Sequence, residues 1–219
     1  MQTPIKVVIL GLAVALLQFG IVIAIWGGLA AFFAQRAFVV LAIVTLAMML
    51  VAPLSKGNIS SGQQEDRSNR WVFIAFSLIA VGSAILPAYC DRYGLLTLGG
   101  EGTRWLGVAF YTAGGVLRLW PVFVLGNRFS GLVAIQPDHT LETRNIYRYV
   151  RNPSYLGMFL YMVGWALVFR SQVGLGLALL LWVPLGFRIR AEERLLRAHF
   201  GAEYEAYCAR TPRLIPWLW

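Results

Sequence analysis

Long stretches without a charged side chain are the feature that most restricts the fold of this 219-residue chain. Five runs of 17 to 29 residues contain no Asp, Glu, Lys or Arg, and a sixth run of 23 residues contains only Arg118. A helix of roughly 20 mostly apolar residues crosses a bilayer, and lipid offers the backbone no other hydrogen-bond partner. We therefore predict an all-α, polytopic integral membrane protein with about six transmembrane helices. The predicted spans are residues 7–35, 37–55, 71–90, 105–127, 152–169 and 171–187.

The composition agrees with this prediction and excludes several other classes of protein. Charged residues make up 13% of the chain, against about 25% in an ordinary globular domain. Two Cys and two His are too few for a disulfide framework, and we expect no metal site built on them.

The basic residues predict the orientation of the spans. With six spans and the N-terminus inside, 14 Lys and Arg residues fall on the cytoplasmic side and 4 on the other side. Cytoplasmic loops of membrane proteins are enriched in Lys and Arg, so both termini are expected in the cytoplasm. This would be the inner membrane if the chain is bacterial. The same distribution explains the net charge of +9 without a nucleic-acid partner.

Four segments are predicted along the chain. Residues 1–55 form an N-terminal transmembrane helix pair, and the polar, Ser- and Gly-rich residues 56–70 form a flexible cytoplasmic loop. Residues 71–126 form the central transmembrane helices. Residues 127–219 contain two short spans and an amphipathic C-terminal helix that Pro212 ends.

One candidate site surrounds the start of the fifth predicted span. Pro153 suits the first turn of a helix, and Asn152 before it is a natural N-cap. A helix start exposes backbone N–H groups and can hold an anion. Tyr147, Tyr149 and Tyr155 place aromatic rings around this position. An interfacial belt of Tyr and Arg is the alternative interpretation.

A second group of ionisable residues lies at the mouth of the last predicted span, which Pro184 is expected to kink. Arg188 and Glu192 are four residues apart and share a helix face. Ionisable groups at membrane depth are costly and therefore indicate function. Glu193 and Arg197 have the same spacing, and we interpret them as a surface ion pair.

Motifs in the C-terminal half resemble a known family. Six motifs occur in order along this half. They are L-G-N-R-F-S at 125–130, H-T-L at 139–141, I-Y-R-Y at 146–149, R-N-P-S-Y-L-G at 151–157, R-I-R-A-E-E at 188–193 and F-G-A-E-Y-E-A-Y at 200–207. This ordered set is similar to the isoprenylcysteine carboxyl methyltransferase family, within a group of membrane methyltransferases that includes phospholipid methyltransferases. Asn152 stands where that family most often has His, and Arg144-Asn145 replaces a small or Gly-containing turn.

The resemblance implies that residues 127–219 form a catalytic region that binds S-adenosyl-L-methionine on the cytoplasmic side. A lipidic or prenylated substrate would enter from the bilayer. Arg188 and Glu192 are the implied catalytic residues, with Arg188 fixing a substrate carboxylate. Arg118 either guides an anionic headgroup or snorkels to the inner face. The implied cofactor-binding residues are His139, Tyr147, Tyr149, Asn152, Pro153, Ser154, Tyr155, Glu192 and Glu193.

Three alternatives stay open on the sequence. One is a phospholipid or thiol methyltransferase of the same group, and another is an NADPH-dependent membrane sterol-type reductase. The third is a non-catalytic membrane scaffold. A carboxylate acceptor is already ionised at neutral pH and needs no strong general base, which favours it over an amine or a thiol. The acceptor and the oligomeric state are not predicted.

Overall fold

The computed structural model describes residues 4–55, 57, 63–137 and 139–214. These residues form mostly helices, together with one two-stranded sheet and short 3-10 turns. The helices are α1 (Pro4–Trp26), α2 (Leu29–Phe33), α3 (Arg36–Val51), α4 (Trp71–Arg92), α5 (Glu101–Leu125), α6 (Pro153–Val168), α7 (Gln172–Leu180), α8 (Trp182–Phe200) and α9 (Ala202–Arg210). The strands are β1 (Gln64–Glu65) and β2 (Ala134–Ile135).

The chain is a multi-pass membrane protein. Four helical stretches are long and apolar enough to cross a bilayer: Arg36–Leu54, Trp71–Arg92, Glu101–Arg128 and Gln172–Phe200. Leu12–Trp26 and Pro153–Val168 are shorter apolar helices. Leu16, Ile43 and Leu78 are each more than 60% exposed, and a dense set of such residues is typical of a lipid-facing surface.

Glycine and proline set the helix boundaries that the charge-free runs do not predict. The first run is interrupted because Gly27 and Gly28 both adopt positive φ, and α2 follows as a separate short helix. Pro184 lacks an N–H for the carbonyl four residues earlier, and the helical hydrogen bonding is interrupted at Leu181, which keeps helical backbone angles, so α7 and α8 meet where Pro184 was expected to kink the span. Gly201 has φ 52° and divides the predicted C-terminal helix into α8 and α9.

Two compact units interleave along the chain. The first unit comprises Met1–Leu54, Ser77–Gly115 and Phe159–Leu180, and the second comprises Ser55–Phe76, Val116–Met158 and Leu181–Trp219. This division groups the residues differently from the four predicted segments, which remain a prediction.

Close backbone packing and aromatic rings hold the first unit. A Cβ on Gly107 of α5 would lie 2.3 Å from the backbone nitrogen of Val168 on α6, so only glycine permits this approach. The buried rings include Trp26, Phe38 and Phe169.

An ion cluster ties helix ends together in the same unit. Asp91 at the end of α4 is 4% exposed and accepts hydrogen bonds from Arg104 and Arg170. Arg104 also lies over the rings of Trp26 and Phe38, at 5.4 and 5.1 Å from their centroids. Each buried charge therefore has a partner, which such groups require.

The second unit orders part of the segment predicted as a flexible loop. Residues 56 and 58–62 lie outside the described residues, but β1 pairs antiparallel with β2, with Gln64 opposite Ile135 and Glu65 opposite Ala134. Residues 63–70 thus include a paired strand and a 3-10 turn, and the predicted flexibility of residues 56–70 remains a prediction. The apolar core of this unit is Leu185, Ile189 and Leu214.

Candidate active site

The second unit encloses a cavity of about 200 Å³. Its walls come from the start of α4, the C-terminal part of α5, the connection between α5 and α6 that includes β2, the start of α6, and residues of α8 and α9. The predicted site residues that line it are Arg118, His139, Tyr147, Asn152, Pro153, Ser154, Tyr155, Arg188 and Glu192. The fold therefore brings together side chains that lie as much as 74 residues apart in the sequence.

A tyrosine links the two residues implied as catalytic. Arg188 donates from Nε to the Tyr155 hydroxyl at 2.8 Å, and Tyr155 donates to Oε2 of Glu192 at 2.6 Å. Arg188 and Glu192 share a face of α8 as their spacing predicts, but Tyr155 of α6 carries the hydrogen bonds between them. Hydrogen bonds to ionised groups are stronger than those between neutral groups, so these two hydrogen bonds fix the side chains of Arg188, Tyr155 and Glu192.

The guanidinium of Arg188 is held on several sides and free at one nitrogen. Its Nη2 donates to the backbone carbonyl of Gly131, and its charge lies 5.0 Å from the centroid of the Phe73 ring. Arg188 is 5% exposed, and its Nη1 is buried with no hydrogen-bond partner among the described residues. A buried N–H without a partner is costly and suits a ligand oxygen.

Arg118 contributes a second cation to the same wall. Its Nη1 donates to the Ser154 hydroxyl at 2.7 Å, and that hydroxyl donates back to the Arg118 carbonyl at 3.3 Å. Ser154 in the first turn of α6 therefore orients Arg118 within the cavity wall.

The segment before α6 supplies a neutral histidine. Burial lowers the pKa of His139 to about 4, and the positive charges of Arg128 and His199 act in the same direction. Its Nδ1 is buried and has no hydrogen-bond partner among the described residues. At pH 7 the imidazole is therefore uncharged, with one ring nitrogen available to a ligand. Arg128 braces this segment through Glu142 at 3.2 Å and Thr140 at 2.6 Å.

Tyr147 and Tyr207 form the side of the cavity nearest α9. The Tyr207 hydroxyl donates to the carbonyl of Tyr147 at 2.6 Å. Burial raises the pKa of both phenols, so they remain protonated at neutral pH. Both are neutral hydrogen-bonding and stacking groups.

Asn152 ties the C-terminal segment to the start of α6. Its backbone N–H and its side-chain amide both donate to the carbonyl of Arg213, at 3.1 and 3.0 Å. The adjacent Arg151 N–H donates to the carbonyl of Pro212 at 2.9 Å. These bonds hold residues 212–213 against the start of α6, where Asn152 also lines the cavity.

Two predicted site residues lie away from the cavity lining. Tyr149 is 67% exposed. Glu193 is 1% exposed and pairs with Arg213 at 2.8 Å and Arg151 at 3.5 Å. The surface pair predicted between Glu193 and Arg197 is therefore wrong.

Arg197 pairs instead with Glu205 on α9, at 2.9 Å. The glycine break before α9 allows this, because it places residue 205 next to α8 rather than further along one helix axis.

The cavity wall carries more positive than negative charge. Four arginines and two glutamates occur among the described lining residues. Arg128 pairs with Glu142, and Arg151 pairs with Glu193, which Arg213 also contacts. Arg118 and Arg188 are left with Glu192 as the one acidic neighbour among those lining residues, so the wall suits a ligand that brings negative charge.

Sequence reasoning did not select several lining residues as part of the site. Phe73 and Gly131, which contact Arg188, carry no recognisable signal, because their role depends on the pairing of β1 with β2. Tyr204, Tyr207 and Arg151 lie within the quoted motifs, so position in those motifs could have identified them.

Comparison with known proteins supports the resemblance read from the motifs. Residues 106–198 match the model of the isoprenylcysteine carboxyl methyltransferase family, which confirms that resemblance. A Protein-S-isoprenylcysteine O-methyltransferase of Schizosaccharomyces pombe is 38% identical over 112 residues, covering 50% of this chain and 48% of that protein. The protein of the same name from Homo sapiens is 32% identical over 115 residues, covering 51% and 40%. The chain thus spans about half or less of the length of these relatives.

A solved structure shares the fold. The eukaryotic intramembrane Ras methyltransferase ICMT superposes with a TM-score of 0.58 at 22% sequence identity, covering 83% of this chain and 65% of that one. At this identity the likeness concerns the fold alone. It extends beyond the matched C-terminal half to most of the chain.

Proposed function

We propose, from the match of residues 106–198 to the isoprenylcysteine carboxyl methyltransferase family, that this chain is an integral membrane methyltransferase. It transfers a methyl group from S-adenosyl-L-methionine to the carboxylate of a lipidic substrate such as a prenylcysteine. The observation that carries the proposal is the Arg188 guanidinium, which Tyr155 and Gly131 hold in place while its buried Nη1 has no hydrogen-bond partner in the part of the chain that the structure describes.

The lining residues fit S-adenosylmethionine by their chemistry. Glu192 suits the ribose hydroxyls or the ammonium group, and the phenols of Tyr147 and Tyr155 provide aromatic surface. His139 offers a buried nitrogen, Nδ1, that has no hydrogen-bond partner within residues 4–55, 57, 63–137 and 139–214. Ser154 and Pro153 begin α6 at the cavity wall and suit the cofactor's carboxylate.

When bound, S-adenosylmethionine supplies a methyl group on a sulfonium centre, which joins a carboxylate oxygen as the carbon–sulfur bond breaks and leaves a neutral thioether. The protein's own contribution is positioning and exclusion of water. Arg188 fixes the acceptor carboxylate, and Tyr155 keeps the guanidinium oriented by donating to Glu192. No proton has to leave the acceptor, so no general base is required.

The charge of the cavity favours a carboxylate acceptor over an amine. S-adenosylmethionine brings one carboxylate, one ammonium and one sulfonium group, and so adds positive charge to a wall where Arg118 and Arg188 already outnumber Glu192. A carboxylate offsets this excess, whereas the amine of a phospholipid headgroup adds to it when protonated. We place the acceptor's carboxylate on Arg188, with Arg118 as the second substrate-binding cation.

The proposed topology has six spans with the catalytic region on the cytoplasmic side. The four long apolar stretches and the two shorter apolar helices supply the spans. The excess of Lys and Arg at the predicted inner ends supports the orientation. A lipid tail would then reach the cavity from the bilayer while the cofactor enters from the cytoplasm.

Product analysis tests the proposal. The purified protein in lipid nanodiscs would receive S-adenosylmethionine labelled in the methyl group, with N-acetyl-S-farnesylcysteine as acceptor and its carboxamide as control. We expect a base-labile methyl ester from the acid and no label on the carboxamide. Label in phosphatidylethanolamine would instead indicate a phospholipid methyltransferase, and oxidation of NADPH without methyl transfer would indicate a reductase.

A further inference from the structure

The segment 63–70, which we name the strap, lies outside the family-matched residues yet contacts the elements that hold Arg188. It precedes α4 in the second unit and contains β1. We propose that the strap is a positioning element of the active site, which sets the orientation of Arg188 through β2 and α8. This inference rests on the proposed function, because it assumes that Arg188 holds the acceptor's carboxylate.

The first link runs through the sheet. The N–H of Gln63 donates to the carbonyl of Ile135 at 2.8 Å, and the N–H of Asp66 donates to the carbonyl of Val133 at 3.0 Å. These bonds fix both ends of the β1–β2 pair. Val133 and Ile135 are buried, and Gly131 lies just before them. The strap therefore determines where the Gly131 carbonyl meets Nη2 of Arg188.

The second link runs directly to α8. Asn69 is 7% exposed, and its side-chain amide donates to the carbonyl of Phe187 at 3.4 Å, the residue before Arg188. Asp66 pairs with Arg194 at 3.5 Å, about two turns after Phe187 on the same helix. The strap thus touches α8 on both sides of the Arg188 backbone.

The third link is the return of the chain into α4. Arg70 makes two hydrogen bonds to the carboxylate of Glu65, at 2.8 and 3.0 Å, which close the strap on itself. Phe73 follows one turn later and lies under the Arg188 guanidinium at 5.0 Å. Two groups that contact the Arg188 guanidinium, the Gly131 carbonyl and the Phe73 ring, therefore lie on segments that adjoin the strap.

The sheet pairing is weak by itself, since two residues a side form a marginal ladder. A segment of this kind that served only as a linker would not need a bidentate ion pair, a buried asparagine and two contacts to one helix. Their convergence on the neighbours of Arg188 makes positioning the function that accounts for all of them.

The test compares two substitutions at one residue. Asp66→Pro removes the N–H that bonds Val133, whereas Asp66→Ala keeps that N–H and removes the side-chain contacts to Ser68 and Arg194. The readout is the ratio of the dissociation constants with which each variant binds N-acetyl-S-farnesylcysteine and its carboxamide. This ratio reports on recognition of the carboxylate and is insensitive to the amount of folded protein.

We expect Asp66→Pro to lower the preference for the acid by about tenfold, as the loss of an oriented cation requires, with unchanged affinity for S-adenosylhomocysteine. Asp66→Ala should retain the preference, because the Arg194 side chain is 70% exposed and its pair with Asp66 contributes little, while the backbone bond to Val133 remains. Equal preference in the two variants, whether retained or lost, would overturn the proposal. If the wild-type protein itself does not distinguish the acid from the carboxamide, the result contradicts the proposed function and not the positioning role of the strap.

If Asp66→Pro does not fold, a charge exchange decides the question. Glu65→Arg and Arg70→Glu should each lower the preference for the acid, and the double variant should restore it, because the closing ion pair is rebuilt in reverse. Single variants with the wild-type preference would overturn the proposal. Glu205→Gln, which breaks an exposed pair with Arg197 elsewhere in the second unit, is the matched control.

Discussion

Replacing Tyr155 with Phe isolates the hydrogen-bonded link between Arg188 and Glu192. The substitution removes one hydroxyl that accepts from Arg188 at 2.8 Å and donates to Glu192 at 2.6 Å, and it keeps the ring. A hydrogen bond to a charged group contributes about 1.5–3 kcal/mol. If losing this orientation of Arg188 raises the activation free energy by that amount, kcat/KM for the acceptor falls by about 10- to 150-fold.

The assay is methylation of N-acetyl-S-farnesylcysteine over a range of acceptor concentrations. Tyr161→Phe is the control, because Tyr161 lies on the same helix, is hydrogen-bonded to Tyr111 in the first unit and does not line the cavity. The control should keep kcat/KM within about twofold of wild type, since surrounding packing is retained. A kcat/KM for Tyr155→Phe equal to that of the control would refute the positioning role of the hydroxyl.

Three further variants or titrations examine separate parts of the structure. Arg188→Lys keeps the positive charge but loses the planar guanidinium, which can donate two hydrogen bonds to one carboxylate, so kcat/KM for the acceptor should fall about 30- to 100-fold in the same assay. Activity near that of wild type would show that a point charge suffices. Gly107→Ala should lower the free energy of unfolding by about 1–3 kcal/mol, because its Cβ would meet the α6 backbone. Gly102→Ala has open space around the added Cβ and should leave the free energy of unfolding unchanged. Thermal unfolding measures both. The ring resonances of His139 should not titrate between pH 8 and pH 5, because its pKa is lowered to about 4, with His199→Gln used to assign the signals. Since the unfolded imidazole titrates near 6.5, this group's contribution to stability should decline as the pH falls from 6.5 towards 4. A midpoint near 6.5 for His139 would contradict the described burial.

The helices could be predicted from charge-free runs because lipid imposes one rule on every span. The run that opens at Asn152 is a helix starting at Pro153, as its cap residues predict. The run 37–55 is represented by α3 and the run 71–90 by α4. The break at Gly27 and Gly28 was not predicted, because apolar composition does not register a local change of φ, whereas the interruption at Leu181 lies where Pro184 was expected to kink the span.

The site could be predicted in part, since its residues lie in motifs or near span ends. Spacing on one helix placed Arg188 and Glu192 on one face, but the group that joins them, Tyr155, lies on another helix. The partners of Glu193 were not predictable from i,i+4 spacing, because Arg213 is 20 residues further on and Arg151 is 42 residues earlier. Such pairings depend on tertiary contacts.

The small sheet shows the same limit most clearly. Strands β1 and β2 are two residues each and lie about 70 positions apart, too short for any alternation of apolar and polar side chains to be visible. The polar composition of residues 56–70 therefore suggested flexibility, although their last eight residues are held by backbone hydrogen bonds and ion pairs.

Calorimetric binding of S-adenosylhomocysteine to the detergent-purified protein tests the central claim most directly. We expect saturable one-to-one binding to wild type, weakening of at least about tenfold in Glu192→Gln, and unchanged binding in Glu205→Gln. NADPH should give no heat of binding under the same conditions. Binding of NADPH in place of S-adenosylhomocysteine, or S-adenosylhomocysteine binding that is indifferent to Glu192, would contradict the assignment of this cavity to a methyltransferase.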